Sequence, residues 1–299
     1  MTIRAATDQD IPLIVELLKV SLGESLMPKS EAFWRWKHVD NPFGPSPVLL
    51  AFENDMLIGV RAFMRWEWKQ GNKIYKAVRA VDTATHPAHQ GKGIFKKLTL
   101  QLLDQCKAEG VDFIFNTPNT SSKPGYLKMG WEQAGKLKVF LRPAFNFRKR
   151  AANFDSLYSV RHVKSVFANS VNMITNSKAG YMEWRYKDNP NVTYYAAQDQ
   201  HATDYLILFR LKPYAAGVEF RICDWYLNNE TATKKMKAHL RQAVCDSGAN
   251  LMSWGGSGFP LTGFGLSIGP DVTVRPLTAA RNYLSFDSWK PTLGDMEVF

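Results

Sequence analysis

Asp82-Thr83-Ala84-Thr85-His86-Pro87-Ala88-His89-Gln90-Gly91-Lys92-Gly93-Ile94-Phe95 is the stretch on which the fold turns. The residues leading into it, 73–85, are patterned as a strand, and those leaving it recur at helical spacing: Phe95, Leu98, Leu102 and Cys106, until Gly110 stops the helix. A strand therefore runs through a glycine-bearing loop directly into a helix predicted over 94–108. Glycine lets the backbone approach an anion closely. The N–H groups of a first helical turn point at such an anion, and the helix dipole adds partial positive charge. Lys92, Lys96 and Lys97 supply full charges. The stretch reads as a diphosphate-binding turn.

On its N-terminal side, residues 48–53 and 56–69 read as strands joined at Asn54-Asp55, and Gln70-Gly71-Asn72 turns the second into the 73–85 strand. Before them come a short strand at 2–6 and a helix opened by the capping-box pair Thr7 and Asp10. That helix carries Ile11, Ile14, Val15, Leu18 and Leu22 on one face. A second helix is predicted over 30–39, ending before Asn41-Pro42. On the C-terminal side, 111–116 is a nearly continuous apolar run, as a buried parallel strand requires. A Pro/Ser/Gly loop, a short helix around Tyr126 and a strand over 131–141 complete the series. The expected class is α/β, a central mixed sheet flanked by helices.

The second half repeats this pattern. WKHVDNP at 36–42 returns as WRYKDNP at 184–190, and AVRAVD at 77–82 faces EFRICD at 219–224. Lys96-Lys97-Leu98 corresponds to Lys234-Lys235-Met236, Phe115-Asn116 to Ser253-Trp254, and Gly130-Trp131 to Gly265-Leu266. The offset shrinks from 148 to 135 along the chain, as expected of one fold duplicated with shortened loops. Domains are expected at 1–145 and 146–299, with the basic, polar segment 146–156 as linker and a helical segment near 157–175. Where the first half has its glycine loop, the second has Asn228-Asn229-Glu230-Thr231, whose acid would repel a diphosphate.

Composition sets the bounds. With 299 residues, 45% hydrophobic and 22% charged, the chain is globular rather than disordered. Its three cysteines lack CxxC spacing, which argues against a disulfide scaffold or a cysteine-rich zinc site. No apolar run reaches the roughly 18 residues that span a bilayer. Asp8, Asp10 and Glu16 interrupt the place a secretory signal would occupy, so a soluble, cytoplasmic protein is expected. The net charge of +11 favours anionic ligands such as phosphorylated cofactors. It does not choose among them, and nucleic acid is not the expected partner. His86 and His89 lack the set of Asp, Glu or Cys partners that a metal site needs, so no metal is expected. Trp34, Trp36, Trp66 and Trp68 read first as packing residues and second as a stacking platform for a sugar or nucleobase.

With Tyr126-Leu127-Lys128-Met129-Gly130-Trp131 added, the series resembles the GNAT acetyltransferase superfamily. Its signature is Gln/Arg-x-x-Gly-x-Gly/Ala after the fourth strand and Tyr-x-x-x-Gly-aromatic further on. Gln90, Gly93, Tyr126, Gly130 and Trp131 match, and the element order agrees over 2–141, whereas Phe95 stands where the family has Gly or Ala. The resemblance implies two GNAT-like domains in tandem, the second a degenerate copy that does not bind CoA but helps form the acceptor pocket. It implies acetyl-CoA, or another acyl-CoA, as co-substrate between the strands at 78–85 and 111–116. Thr83, Ala84 and Thr85 would pair with its pantetheine arm, with Asn119 beside it. Gln90, Gly91, Lys92, Gly93, Ile94 and Phe95 would hold the diphosphate. Tyr126 would protonate the departing thiolate, and Asp82 and His86 are the visible candidates for base. Asp224, at the equivalent of Asp82 in the half lacking the glycine loop, speaks for a structural role of Asp82 instead. The expected activity is N-acyl transfer to a small-molecule amine, an amino sugar or nucleotide-linked amine being the first guess. The alternatives are a Fem-type aminoacyl or peptidyl transferase and a non-catalytic acyl-CoA-binding regulator.

Overall fold

A computed structural model of the chain describes residues 1–23, 27–144, 149–160, 170–201, 203–266, 268–278 and 285–296. The elements run β1 (Thr2–Ala5), α1 (Ile11–Leu22), α2 (Glu31–His38), β2 (Val48–Glu53), β3 (Met56–Gln70), β4 (Lys73–Thr85), α3 (Ile94–Ala108), β5 (Phe113–Asn116), α4 (Lys123–Lys128) and β6 (Glu132–Lys136). They continue with β7 (Val139–Pro143), α5 (Phe154–Leu157), β8 (Ile174–Thr175), a π-helical turn at Glu183–Lys187, β9 (Tyr195–Gln198), β10 (Tyr205–Tyr214) and β11 (Gly217–Leu227). Last come α6 (Thr233–Ser247), β12 (Leu251–Gly255), β13 (Phe264–Leu266), β14 (Asp271–Pro276) and α7 (Leu293–Met296). Of the helix expected near 157–175, residues 161–169 lie outside the described residues, as does part of the expected linker; where the stretch is described it holds only the last residue of α5 and the strand β8.

Two compact units emerge. One comprises Met1–Gly135 with Asp271–Ser288; the other comprises Lys136–Pro270 and the chain from Trp289. The sheet of the first runs β1-β2-β3-β4-β5-β14-β6. Strands β1 to β4 are antiparallel, β5 joins β4 in parallel, and β14 returns antiparallel to β5. Asn54 and Asp55 close the β2–β3 hairpin with φ of 50° and 63°, the left-handed pair that a tight two-residue hairpin turn demands. Ile14, Val15 and Leu18 of α1 pack with Trp34 on Val60, Ala62 and Ala84, one face of the sheet. Leu98, Leu102 and Cys106 of α3 pack on Phe63, Val78 and Ile114, the other. Leu22 is 55% exposed at the last turn of α1. Trp66 and Trp68 are buried edge-on against Phe115, within the core.

The second unit is built on the same plan. Its sheet runs β13-β7-β12-β11-β10-β9, with β11 parallel to β12 and its other described pairs antiparallel. Met236 and Leu240 of α6 cover Ile207, Phe209 and Phe220. Both units bulge in the equivalent hairpin. The β3–β4 ladder skips Asp82, and the β10–β11 ladder skips Cys223.

The expected strand over 131–141 is two strands. β6 stays in the first sheet, whereas β7 pairs with β12 and β13 in the second, and β14 then returns to pair with β5. The chain therefore changes unit after residue 135, at 271 and again at 289, where the sequence suggests one boundary at 145. An apolar strand carries no mark of the sheet it will join, because every strand edge offers the same ladder of N–H and C=O groups. Among the described residues no helix is long and apolar enough to cross a membrane.

Candidate active site

Strand β4 pairs with β5 only from Ala77 to Arg79, yet it continues to Thr85. Past Ala80 its edge on that side is open. The resulting cleft, about 960 Å³, is lined by 80–85, by the loop and first turn of α3, and by Asn116–Asn119 and Tyr126. An unpaired strand edge is a ready ladder for an extended amide-bearing ligand.

At the end of β4 the loop is braced locally. The His86 Nδ1 accepts from the Ala88 N–H at 3.3 Å, and the Gln90 side chain donates to the Thr85 carbonyl at 3.4 Å. Gly91 and Gly93 have φ of +77° and +73°, and no atom lies within 4 Å of the Cβ either would carry. Glycine is required there by backbone conformation, not by crowding. Gly93 caps α3 without a side chain, so the amides of the first turn open onto the cleft beside Ile94, Phe95 and Lys96. Lys92 is exposed, its Nζ 3.9 Å from Glu53, which also lies 3.3 Å from His89. Among the described residues no group of three His, Cys, Asp or Glu could hold a metal.

Phe95 turns inward. Its ring meets Tyr126 edge-to-face at 5.6 Å, and a Cβ on Gly125 would press on it at 3.3 Å. Tyr126, buried in α4, also packs on Trp131 at 5.2 Å and lines the cleft. The Asn119 side-chain carbonyl accepts from the Ser122 N–H at 2.8 Å and opens α4, so its cleft-lining position coincides with turn chemistry.

Asp82 sits in the bulge with φ +43°, a strained value for a non-glycine residue. The bulge aims its carboxylate at α2, where Oδ2 accepts from Lys37 Nζ at 2.9 Å and from His38 Nε2 at 2.8 Å. Burial alone would push the Asp82 carboxyl up, but the Lys37 charge and the His38 hydrogen bond outweigh it and hold it well below the usual carboxylate range. His38 is itself buried, which pulls its pKa down despite Asp82. A neutral ring facing an ionised carboxylate carries its proton on Nε2, which leaves Nδ1 to accept from the Ser46 hydroxyl at 2.9 Å. The Asp82 side chain keeps 20% of its surface exposed, bordering the cleft and a second cavity beside α1 and α2. A carboxylate held this acidic is a weak base and a good fixed anion.

Lys37, His38 and Ser46, and Arg61 opposite Thr83, are residues that sequence reading did not single out. The repeated motif held the signal for two of them. In the second unit Tyr186 occupies the place of His38, and its hydroxyl donates to Asp224 at 2.9 Å. Asn41 and Asn189 likewise close matching turns, accepting from Phe43 and Asn191 N–H groups at 2.9 Å each. The repeat conserves a helix-to-strand hydrogen bond.

The equivalent cleft of the second unit is narrowed to a cavity of about 150 Å³ along residues 224–228, Gly255 and 290–292. The Asn229 side chain accepts from the Thr231 N–H at 3.1 Å, so the turn into α6 is capped from within, beside Glu230. Strand β11 pairs with β12 only through Ile222 and Trp254. Beyond that point α7 crowds the gap: Leu293 lies 2.8 Å from the place a Cβ on Gly255 would take, and Gly294 lies against the Tyr186 hydroxyl and the Cys223 carbonyl.

A mixed sheet splayed beside a glycine-opened helix, with a buried tyrosine across the gap, defines the class of the first unit as a GNAT acetyltransferase fold. Residues 2–134 match the family model described as acetyltransferase (GNAT) domain. An L-methionine sulfoximine/L-methionine sulfone acetyltransferase from Salmonella typhimurium is 30% identical over 120 residues, which is 37% of this chain and 66% of that relative. A GCN5-related N-acetyltransferase from Anabaena variabilis shares the fold at 16% identity and TM-score 0.64, over 92% of this chain and 73% of that one. A probable N-acyltransferase from Enterococcus faecalis does so at 11% identity and TM-score 0.65, over 93% and 73%. Residues 2–134 thus carry a GNAT acetyltransferase domain.

Proposed function

We propose that the protein transfers an acetyl group from acetyl-CoA to the primary amine of a small, largely apolar molecule. The observation that carries this reading is the open edge of β4, which leads at one end to the Gly93-capped helix and faces Tyr126 across the cleft. Thr83, Ala84 and Thr85 pair with the pantetheine amides as an added strand. Gln90, Gly91, Lys92, Gly93, Ile94 and Phe95 form the turn that holds the diphosphate, its bonds made by backbone N–H groups because Phe95 has turned its ring away. Asn119 borders the pantetheine arm. Tyr126 gives its proton to the leaving sulfur, and β4 N–H groups stabilise the oxyanion, usually the largest catalytic contribution. Asp82 is the fixed anion that draws the acceptor ammonium to the cleft, the amine proton leaving to water.

The acceptor class follows from the cavity that Asp82 shares. It measures about 300 Å³ and is walled by Val15, Leu18, Met27, Phe33 and Trp34. An α-amine on a short apolar chain suits such walls, in keeping with the methionine derivatives named for the Salmonella relative. An amino sugar would want exposed aromatic faces, whereas Trp36, Trp66 and Trp68 are buried. The second unit takes no CoA, since its helix start is self-capped and its cleft is narrowed to about 150 Å³. Use of acetyl-CoA fits a cytoplasmic location.

Thiol release from acetyl-CoA across a panel of amines tests the reading, with calorimetric titration of CoA alongside. Turnover with apolar amino acids and one CoA per chain are expected. CoA binding without turnover on any amine would make the protein a binding regulator, and a requirement for aminoacyl-tRNA would make it a Fem-type transferase.

A further inference from the structure

Arg61, in β3, is fully buried. It stands opposite Thr83 at the β4 bulge and donates from Nη1 to the Thr83 hydroxyl. Its Nε and Nη2 make no hydrogen bond of good geometry, the Tyr126 hydroxyl being the polar group close enough to favour its charge, and no carboxylate forms an ion pair with it among the described residues. Instead the guanidinium lies over three aromatic rings: Phe63 at 4.7 Å, Tyr126 at 5.3 Å and Phe95 at 5.5 Å. Burial lowers its pKa, against the pull of Tyr126 and Asp82, yet a guanidinium stays charged at any ordinary pH. An apolar side chain would fill this volume without the desolvation cost of an unpaired cation. Packing therefore does not account for the residue.

We propose that Arg61 is a positioning residue for acetyl transfer, a fixed positive charge held behind Tyr126 that stabilises its phenol as it gives up its proton. The inference rests on the acetyltransferase reading above. As the acceptor nitrogen bonds to the acetyl carbon, the carbon–sulfur bond breaks and its electron pair goes to sulfur. The Tyr126 proton passes to that sulfur. The phenolate left behind faces Arg61 until it regains a proton from water, which has taken the one released by the amine. The aromatic walls keep water away from the guanidinium, so solvent does not screen its field on the phenolate. This gives a reason for Phe95, the residue that departs from the family pattern: it supplies one of the three rings.

Kinetics of Arg61→Met and Arg61→Lys, alone and combined with Tyr126→Phe, test the proposal. Arg61→Met is expected to lower kcat about 100-fold while the KM for acetyl-CoA moves less than about 2-fold. Arg61→Lys, which keeps the charge, restores part of the rate. In the Tyr126→Phe background Arg61→Met costs nothing further, because the two act as a unit. Equal losses in both backgrounds, or no rescue by lysine at matched thermal stability, would overturn the idea. A measurement without turnover separates it from the reading it rests on. The thiol of bound CoA, followed by ultraviolet thiolate absorbance, ionises at higher pH in Arg61→Met, by about one unit; Arg61→Gln serves if the methionine variant does not fold. That shift in a protein that acetylates no amine would sink the acetyltransferase reading and spare Arg61. Full turnover without the shift would do the reverse.

Discussion

His38 Nε2 donates to Asp82 Oδ2 at 2.8 Å, joining α2 to the bulge of β4 across 44 residues of chain. Tyr186 and Asp224 make the same link in the second unit at 2.9 Å. Two units that differ in their helix starts and in the filling of their clefts both retain this bond. Its first role is thus to tie helix to strand, and in the first unit the tied carboxylate also borders both cavities.

Breaking that tie has a calculable direction. Lys37→Met leaves a mostly buried Asp82 with a neutral histidine alone, and is expected to cost about 3 kcal/mol, the range for orphaning one partner of a buried pair. Urea denaturation measures it. His38→Ala should cost less, and should raise the KM for the amine more than that for acetyl-CoA.

Gly93 at φ +73° separates strain from charge. Gly93→Ala is expected to cost about 1 kcal/mol of stability for the left-handed conformation and to weaken CoA binding only slightly. Gly93→Glu adds a negative charge at the helix start and should weaken binding at least about 10-fold, roughly 1.4 kcal/mol. Isothermal titration of both variants distinguishes the two effects.

Tyr126→Phe keeps the ring against Phe95 and Trp131 and removes only the hydroxyl. The expected result is a kcat about 100-fold lower, within the span of general-acid contributions, with the KM for acetyl-CoA nearly unchanged. Steady-state thiol release reports it.

Unit two responds to pH through Asp224. Burial and the neighbouring charge of Asp295 push the Asp224 carboxyl up to about 7. Its unfolded value is about 4. Between these values the folded state holds more protons than the unfolded chain, so stability is full at the acid end and falls as pH rises toward 7. Asp224→Asn should flatten that decline, while Asp10, held well below the carboxylate range chiefly by its Arg4 hydrogen bonds, contributes stability lost only at low pH. Urea midpoints across pH in the wild type and Asp224→Asn check the sign.

Local signals were enough to read the Thr7–Asp10 cap, the Asn54-Asp55 turn and the Gly93 start of α3, because each is written in residues a few positions apart. Three features belong to tertiary structure alone. The exchange of β7 and β14 between sheets depends on which strand edges meet, and edges look alike in sequence. The clamp of Lys37 and His38 on Asp82 depends on a bulge that turns one side chain toward α2. The charge behind Tyr126 depends on Arg61, Phe63 and Phe95 converging from β3 and α3. Period and propensity determine which residues face inward; only the packed chain decides which of them touch, since contact across tens of residues is set by the sheet register and not by neighbours in sequence.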